Sequence, residues 1–373
     1  MPRWIQTTQL MGLKVCFRAD ASLQIGTGHV MRCLTLADAL RELGAECRFI
    51  CREHPGNLIE VIRSKGYVVH GLPSLATRDV GASSPAHAAW LGSSQLDDAA
   101  ASVACLIDWS VDWLIVDHYA LDARWEELLQ LHCRQLMVID DLADRMHRCD
   151  LLLDQTLGRI TADYSTLVPA HCELLCGARF AMLRPEFASL RDYSLQRRAH
   201  APLQHLLISM GGVDKDNATG RALDALRRSS LPADCHITVV MGGTAPWVEA
   251  VRQQAESMPW STSVRVGVSD MGRLMADSDL AIGAAGATSW QRCCLGLPTI
   301  MLILASNQNL VAQGLELAGA VRVLHSADQV DKELPRYLQE LISCPAHVSG
   351  MSRNAAAVVD GSGLATVIQH LGR

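Results

Sequence analysis

Residues 14–40 read "KVCFRADASLQIGTGHVMRCLTLADAL", and the order of textures in this stretch decides the fold. An apolar run of β-formers, "KVCF", gives way to a polar loop holding Gly26 and Gly28. Beyond it Val30, Met31, Leu34, Leu36, Ala37 and Leu40 recur at helical spacing. The reading is strand, loop, helix, with His29 in the first turn of the helix. A helix N-terminus has free N–H groups and the positive end of the helix dipole, so it attracts anions and disfavours a second cation. An imidazole there is expected to stay neutral, and a neutral histidine accepts a proton. The position suits a general base facing a negatively charged substrate, with Gly26 and Gly28 letting that substrate approach the backbone. Taken alone, the loop is equally well explained as a tight turn before an ordinary helix start. "GTGHVM" lacks the third glycine of a dinucleotide fingerprint and the Gly-Lys-Ser/Thr of a P-loop, which argues against nicotinamide and ATPase chemistry.

The same alternation runs along all 373 residues. Strand candidates in the first half are "KVCFR", "ECRFIC", "YVVHGL", "DWLIVD", "QLMVID", "DLLLD" and "ELLCG". In the second half they are "HLLISM", "HITVVM", "SVRVGV", "LAIGA", "TIMLIL" and "AVRVL". Helical patterns between them predict parallel sheets built by right-handed crossovers. The charged stretch "RDYSLQRRAHAP", residues 191–202, reads as a linker. The expected fold is α/β: two doubly wound Rossmann-like lobes, with the site in the cleft if their strand-end edges face one another. Residues 13–190 form the first lobe and 203–350 the second. A C-terminal helix in 351–373 is expected to pack back toward the first lobe.

Composition narrows the function classes. Hydrophobic residues make up 49% and charged residues 19% of the chain, and the net charge of -6 shows no nucleic-acid surface. The 13 cysteines are odd in number, scattered and partly inside apolar runs, so reduced buried thiols are expected, and without a CxxC pair no structural zinc site is. The N-terminus has no apolar signal core, and "PTIMLILA" is too short to cross a bilayer. A cytoplasmic protein with no membrane partner is the expectation. Residues 1–12 read as a disordered extension, and the oligomeric state stays open.

Ligands of open parallel sheets bind beyond the carboxyl ends of the strands, and the polar, glycine-rich text falls there. In "SMGGVDKDN", Gly211 and Gly212 follow a strand, and Asp216 or Asn217 can cap a helix. In "GAAGATS", backbone N–H groups of Gly286, Ala287 and Thr288 can cradle a diphosphate. A tight turn with a Thr or Ser cap is the simpler alternative. Asp214 and Asp216 form a D-x-D pair, and Asp140, Asp141 and Asp144 cluster in "IDDLADR". Capping, substrate contacts or surface roles are preferred over a metal for both groups.

Taken together, "RADASLQIGTGHVMRCLTLA", "VDHYALDARWE", "VIDDLADRMHRCDLLLDQT", "LRPEF", "SMGGVDKDNAT" and "GAAGATSWQRCCLGLPTIMLILASNQ" resemble one family. It is the UDP-2,4-diacetamido-2,4,6-trideoxy-β-L-altropyranose hydrolases of pseudaminic acid biosynthesis, the PseG family. The likeness runs from about Lys14 to about Leu317. It implies a GT-B fold, a UDP-sugar as substrate, and hydrolysis at the anomeric carbon with no metal and no cofactor. It also implies that His29 is the catalytic base, that Tyr119 lies near the sugar, and that Asn307 is a binding residue. Asp20 is a further candidate for orienting water or sugar, beside Gly28. One departure stands out: the family's usual "TSWER" is "TSWQR" here, so Gln291 replaces a glutamate expected to accept hydrogen bonds from the ribose, and keeps one carbonyl acceptor. Two alternatives remain: an inverting glycosyltransferase, and a UDP-sugar-binding protein without catalysis.

Overall fold

The computed structural model describes residues 10–74, 85–199, 202–243 and 245–373. They form two compact units, one of residues 1–182 with 363–373 and one of residues 183–362. The first unit holds β1 (Lys14–Ala19), β2 (Glu46–Arg52), β3 (Val68–Leu72), β4 (Val111–Asp117), β5 (Cys133–Ile139), β6 (Leu151–Asp154) and β7 (Glu173–Cys176). The second holds β8 (His205–Ser209), β9 (His236–Met241), β10 (Ser261–Val266), β11 (Leu280–Ala284), β12 (Thr299–Leu302) and β13 (Val321–Leu324).

Every ladder is parallel. The strand orders are β3-β2-β1-β4-β5-β6-β7 and β10-β9-β8-β11-β12-β13. Both orders reverse direction once, between β1 and β4 in the first unit and between β8 and β11 in the second. Those reversals are the topological switch points at which doubly wound sheets bind ligands. The fold class is therefore two Rossmann-like α/β units. The inner strands are apolar on both faces because helices cover both: Val15, Phe17 and Ile115 join one cluster, while Cys16, Leu114 and Val116 join the other.

Three expectations need correction. Residues 191–198 are no linker but the end of a helix, Pro185–Arg198. Its basic residues are structural: buried Arg198 donates to Ser278 O, Leu295 O and Gly296 O, and Arg191 donates to Cys294 O and Val359 O. Guanidinium groups on carbonyl-rich helix ends satisfy acceptors the helices leave open. Residues 200 and 201 of the stretch lie outside the described residues.

The expected disordered start at 1–12 holds less chain than assumed. Leu10 is buried in the first core, and Gly12 N donates to Gly44 O at 3.0 Å. Residues 1–9 lie outside the described residues. The expected single helix in 351–373 is two, Pro345–Val358 and Gly363–Leu371. Val359 is extended, Gly361 has φ 90°, and Asp360 Oδ1 accepts from Ser362 N at 2.8 Å, which turns the chain. The last helix completes the first unit: Leu364, Val367, Ile368 and Leu371 enter its core, and Trp113 Nε1 donates to Leu371 O at 3.0 Å. Among the described residues, no helix is long and apolar enough to cross a membrane.

Candidate active site

The loop between β1 and the helix Gly28–Glu42 is pinned before it delivers His29. Ser22 and Gly26 exchange backbone hydrogen bonds, with Gly26 at φ 82°, and Ser22 Oγ accepts from Gln24 N and Ile25 N. Thr27 stands at the helix N-cap without a side-chain cap, so no hydroxyl covers the N–H groups of the first turn at Gly28. His29 is 7% exposed.

Its Nδ1 meets Asp117 Oδ1 at 2.5 Å. Asp117 ends β4, the strand on the other side of the switch point, so the sheet topology brings the two residues together from 88 positions apart. A carboxylate only accepts, so the proton sits on Nδ1 and the Nε2 lone pair is left to take one. Arg32, one turn along the helix, donates to both oxygens of Asp117, at 2.5 and 2.7 Å. Burial would raise the Asp117 carboxyl, but the guanidinium of Arg32 and the ring of His29 hold it well below the usual carboxylate range. Asp117 therefore stays an anion through the neutral range.

Arg32 also donates to Asp141 Oδ2 at 2.7 Å, and Tyr119 OH donates to the same oxygen at 2.6 Å. Burial and the Asp141 charge push the Tyr119 phenol up, so it remains a donor. The Tyr119 ring stands edge-on to His29 with centroids 4.5 Å apart. Three residues that the motifs single out, His29, Tyr119 and Asp141, thus form one constellation with Arg32 and Asp117.

Asp20 is placed differently from its expected role. It is fully buried, and its carboxylate accepts from Arg18 at 2.6 and 3.0 Å and from Arg52 N at 2.7 Å. His118 Nε2 lies 3.1 Å from its other oxygen. With its oxygens so engaged, Asp20 does not face a sugar or a water; it braces the strand ends beneath the site. Arg18 and Arg52 both donate to Asp98, which also accepts from Trp125 Nε1. Losing one partner from such a buried ion network costs about 3–5 kcal/mol.

In the second unit, the loops after β8 and β11 flank the other switch point. Gly211 (φ 95°) and Gly212 are half-buried, and the D-x-D pair divides. Asp214 accepts from Ala218 N and Thr219 N, while Asn217 accepts from Gly220 N, so two side chains cap the helix Ala218–Leu226. The helix Thr288–Cys294 has Ala287 at its N-cap and no side-chain cap, with Gly286 and Thr288 half-buried and Ala287 exposed. Behind this loop Arg292 is buried, donates to Ala284 O at 2.6 Å, and has no carboxylate partner among the described residues; burial draws it down to about 10. Gln291 is half-buried on the same helix and Asn307 is exposed in the turn Ser306–Gln308. Asp140 is held by Arg145, Ala143 N and Tyr164 OH, and Asp144 pairs with Arg145. Among the described residues no group of three or more His, Cys, Asp or Glu is arranged to hold a metal.

Sequence reasoning missed Asp117, Arg32 and two aromatic residues, His87 and Trp90, whose rings lie 5.6 and 5.9 Å from that of Tyr119. Asp117 carried a usable signal, as the acid of "VDHY" at a strand end. Arg32 lies one turn after the histidine, a spacing that shares a helix face.

Residues 219–367 match the glycosyltransferase family 28 C-terminal domain. The UDP-2,4-diacetamido-2,4,6-trideoxy-β-L-altropyranose hydrolase of Campylobacter jejuni is 27% identical over 244 residues, 65% of this chain and 75% of that protein. The spore coat polysaccharide biosynthesis protein SpsG of Bacillus subtilis is 28% identical over 194 residues, 51% of this chain and 56% of that protein. The crystal structure of MurG from Acinetobacter baumannii superposes with a TM-score of 0.67 at 16% identity, covering 96% of this chain and 99% of that one, a likeness of fold. Motifs, sequence likeness and strand order agree: the chain is similar to the Campylobacter hydrolase, and its two units have the GT-B fold.

Proposed function

We propose that the protein is a UDP-sugar hydrolase acting on UDP-2,4-diacetamido-2,4,6-trideoxy-β-L-altropyranose, without a metal or cofactor. The coarser part of this reading, an enzyme acting on a UDP-sugar, is supported by the activity for which the Campylobacter relative is named and by the family 28 match. The observation that carries the hydrolytic part is the His29–Asp117 pair, with Nδ1 tied to an anion and the Nε2 lone pair free.

In this reading a water donates its proton to His29 Nε2 as its oxygen bonds to the anomeric carbon. The bond from that carbon to the diphosphate oxygen breaks with the electron pair leaving on UDP. Attack opposite the leaving group inverts the carbon, and the products are UDP and free 2,4-diacetamido-2,4,6-trideoxy-L-altrose. Asp117 stabilises the imidazolium until its proton passes to solvent. Backbone N–H groups at Gly211, Gly212, Gly286, Ala287 and Thr288 receive the growing diphosphate charge, while Gln291 binds the ribose and Asn307 contacts the substrate.

The family 28 match also favours a second reading, an inverting glycosyltransferase, in which the same base deprotonates an acceptor hydroxyl. The two separate in a mixture of protein, UDP-sugar and water alone. Hydrolysis predicts free sugar and UDP in equal amounts, undiminished by a chelator such as EDTA. Strict dependence on an added acceptor would establish transfer instead, and loss with EDTA reversed by magnesium or manganese would remove the metal-free mechanism.

A further inference from the structure

The turn Ala88–Leu91 carries an aromatic pair that the hydrolytic chemistry does not use. The ring centroids of His87 and Trp90 lie 4.3 Å apart, with the planes tilted by 43°, and Trp90 stacks on the Tyr119 ring at 5.9 Å and 28°. Tyr119 in turn touches His29 edge-on. Both His87 and Trp90 are half-buried. The turn is firmly seated: Leu91 is buried in the core, Gly92 has φ 64° and packs toward Arg52 and His54, and Ser94 caps the next helix by accepting from Asp97 N. Burial lowers His87, which leaves its ring a neutral aromatic near pH 7.

We infer that Trp90, backed by His87, is the platform for the sugar and sets its specificity for an amidated, deoxygenated hexose. The inference rests on the proposed function for its choice of sugar. Water held by His29 lies about 3 Å from Nε2, and its target carbon about 3–3.5 Å farther. The sugar ring must therefore lie beside His29 and Tyr119, within reach of Trp90. A 2,4-diacetamido-2,4,6-trideoxy sugar has lost hydroxyls at three positions and carries three methyl groups, two on its acetyl arms and one at carbon 6. An aromatic face suits such a surface, whereas a hydroxylated hexose would need hydrogen-bond partners that indole carbons lack.

The test compares affinities for the UDP-diacetamido sugar and for UDP in three variants by calorimetry: His29→Asn, which spares the ligand, and that variant with Trp90→Ala or Trp90→Phe. Turnover of Trp90→Ala alone is measured alongside. Trp90→Ala is expected to weaken the UDP-sugar about tenfold, the usual worth of an apolar contact in discrimination. UDP affinity should not move, and Trp90→Phe should restore most of the loss. In turnover the defect should fall on KM rather than kcat. Unchanged UDP-sugar affinity, or an equal loss for UDP, would overturn the platform. Hydrolysis by the wild type together with an unchanged affinity in Trp90→Ala defeats the platform alone. A tenfold loss with no hydrolysis by the wild type upholds the platform and defeats the hydrolase reading.

Discussion

At the scale of the residue, what distinguishes His29 from an ordinary helix-start histidine is its partner. Asp117 accepts from Nδ1 and is itself held anionic by Arg32, so the ring has one orientation and one tautomer. Asp117→Asn tests this directly. The amide nearly keeps the volume, but its NH2 can donate to Nδ1, which favours the tautomer with the proton on Nε2 and removes the base. Turnover is expected to fall on the order of 10²- to 10⁴-fold, with UDP affinity unchanged in the folded protein. Turnover near wild type would show that the pair has no part in proton transfer. The histidine was legible in the sequence because strand, glycine loop and helix locate it without any tertiary information. Its carboxylate partner was legible only as the acid of "VDHY" at a strand end; that it meets His29 was not, since 88 residues separate them and only the β1–β4 pairing joins them.

At the scale of the element, the thirteen strands among the described residues were readable because each is a short apolar run with a polar end. β10 was misplaced by two residues at both ends, with Gly267 at φ 64° following its last residue inside the run "SVRVGV"; β5 begins two residues before the run read for it, and β12 ends two residues short of its run. Basic text misled where arginines serve buried carbonyls, as in the helix Pro185–Arg198. Trp90 and His87 gave no sign, since an aromatic pair in a turn gains meaning only from the rings it meets. The segment Arg145–Cys149 shows how side chains fix such connections. Buried His147 bonds through Nδ1 to Glu126 Oε1 at 2.7 Å, and Glu126 Oε2 accepts from Arg148 N. Burial alone would lower His147, but the Glu126 charge and hydrogen bond prevail and raise it above 6.5. A histidine raised by folding stabilises the protein fully below its unfolded value, and that stabilisation is lost as pH rises through the folded value. Melting temperature is therefore expected to decline from about pH 6.5 upward in the wild type. The decline should be flatter in Glu126→Gln; equal slopes for the two proteins would refute the coupling.

At the scale of the whole molecule, the chain leaves the first unit after Met182 and returns at Gly363. The second unit is thus an insertion in the sequence of the first. Both sheets follow the same order about a central reversal, the first with β7 added at its edge, and most residues singled out by motif follow the strands at the reversals, while Asn307 follows β12. Composition and strand text were sufficient for that duplication, whereas the crossings after Met182 and at Gly363 sit at short connections before helices, not in the charged stretch that reads as a linker. His29 is proposed to activate water against a UDP-sugar. The most direct measurement is NMR of UDP-2,4-diacetamido-2,4,6-trideoxy-β-L-altropyranose with no acceptor present, following both products for the wild type and His29→Ala, with UDP affinity measured for each. Free sugar is expected to appear first as the inverted anomer, with a loss of about 10²- to 10⁴-fold in turnover for the variant and unchanged UDP binding. Near-wild-type turnover in folded His29→Ala, or no free sugar from the wild type, would contradict this proposal.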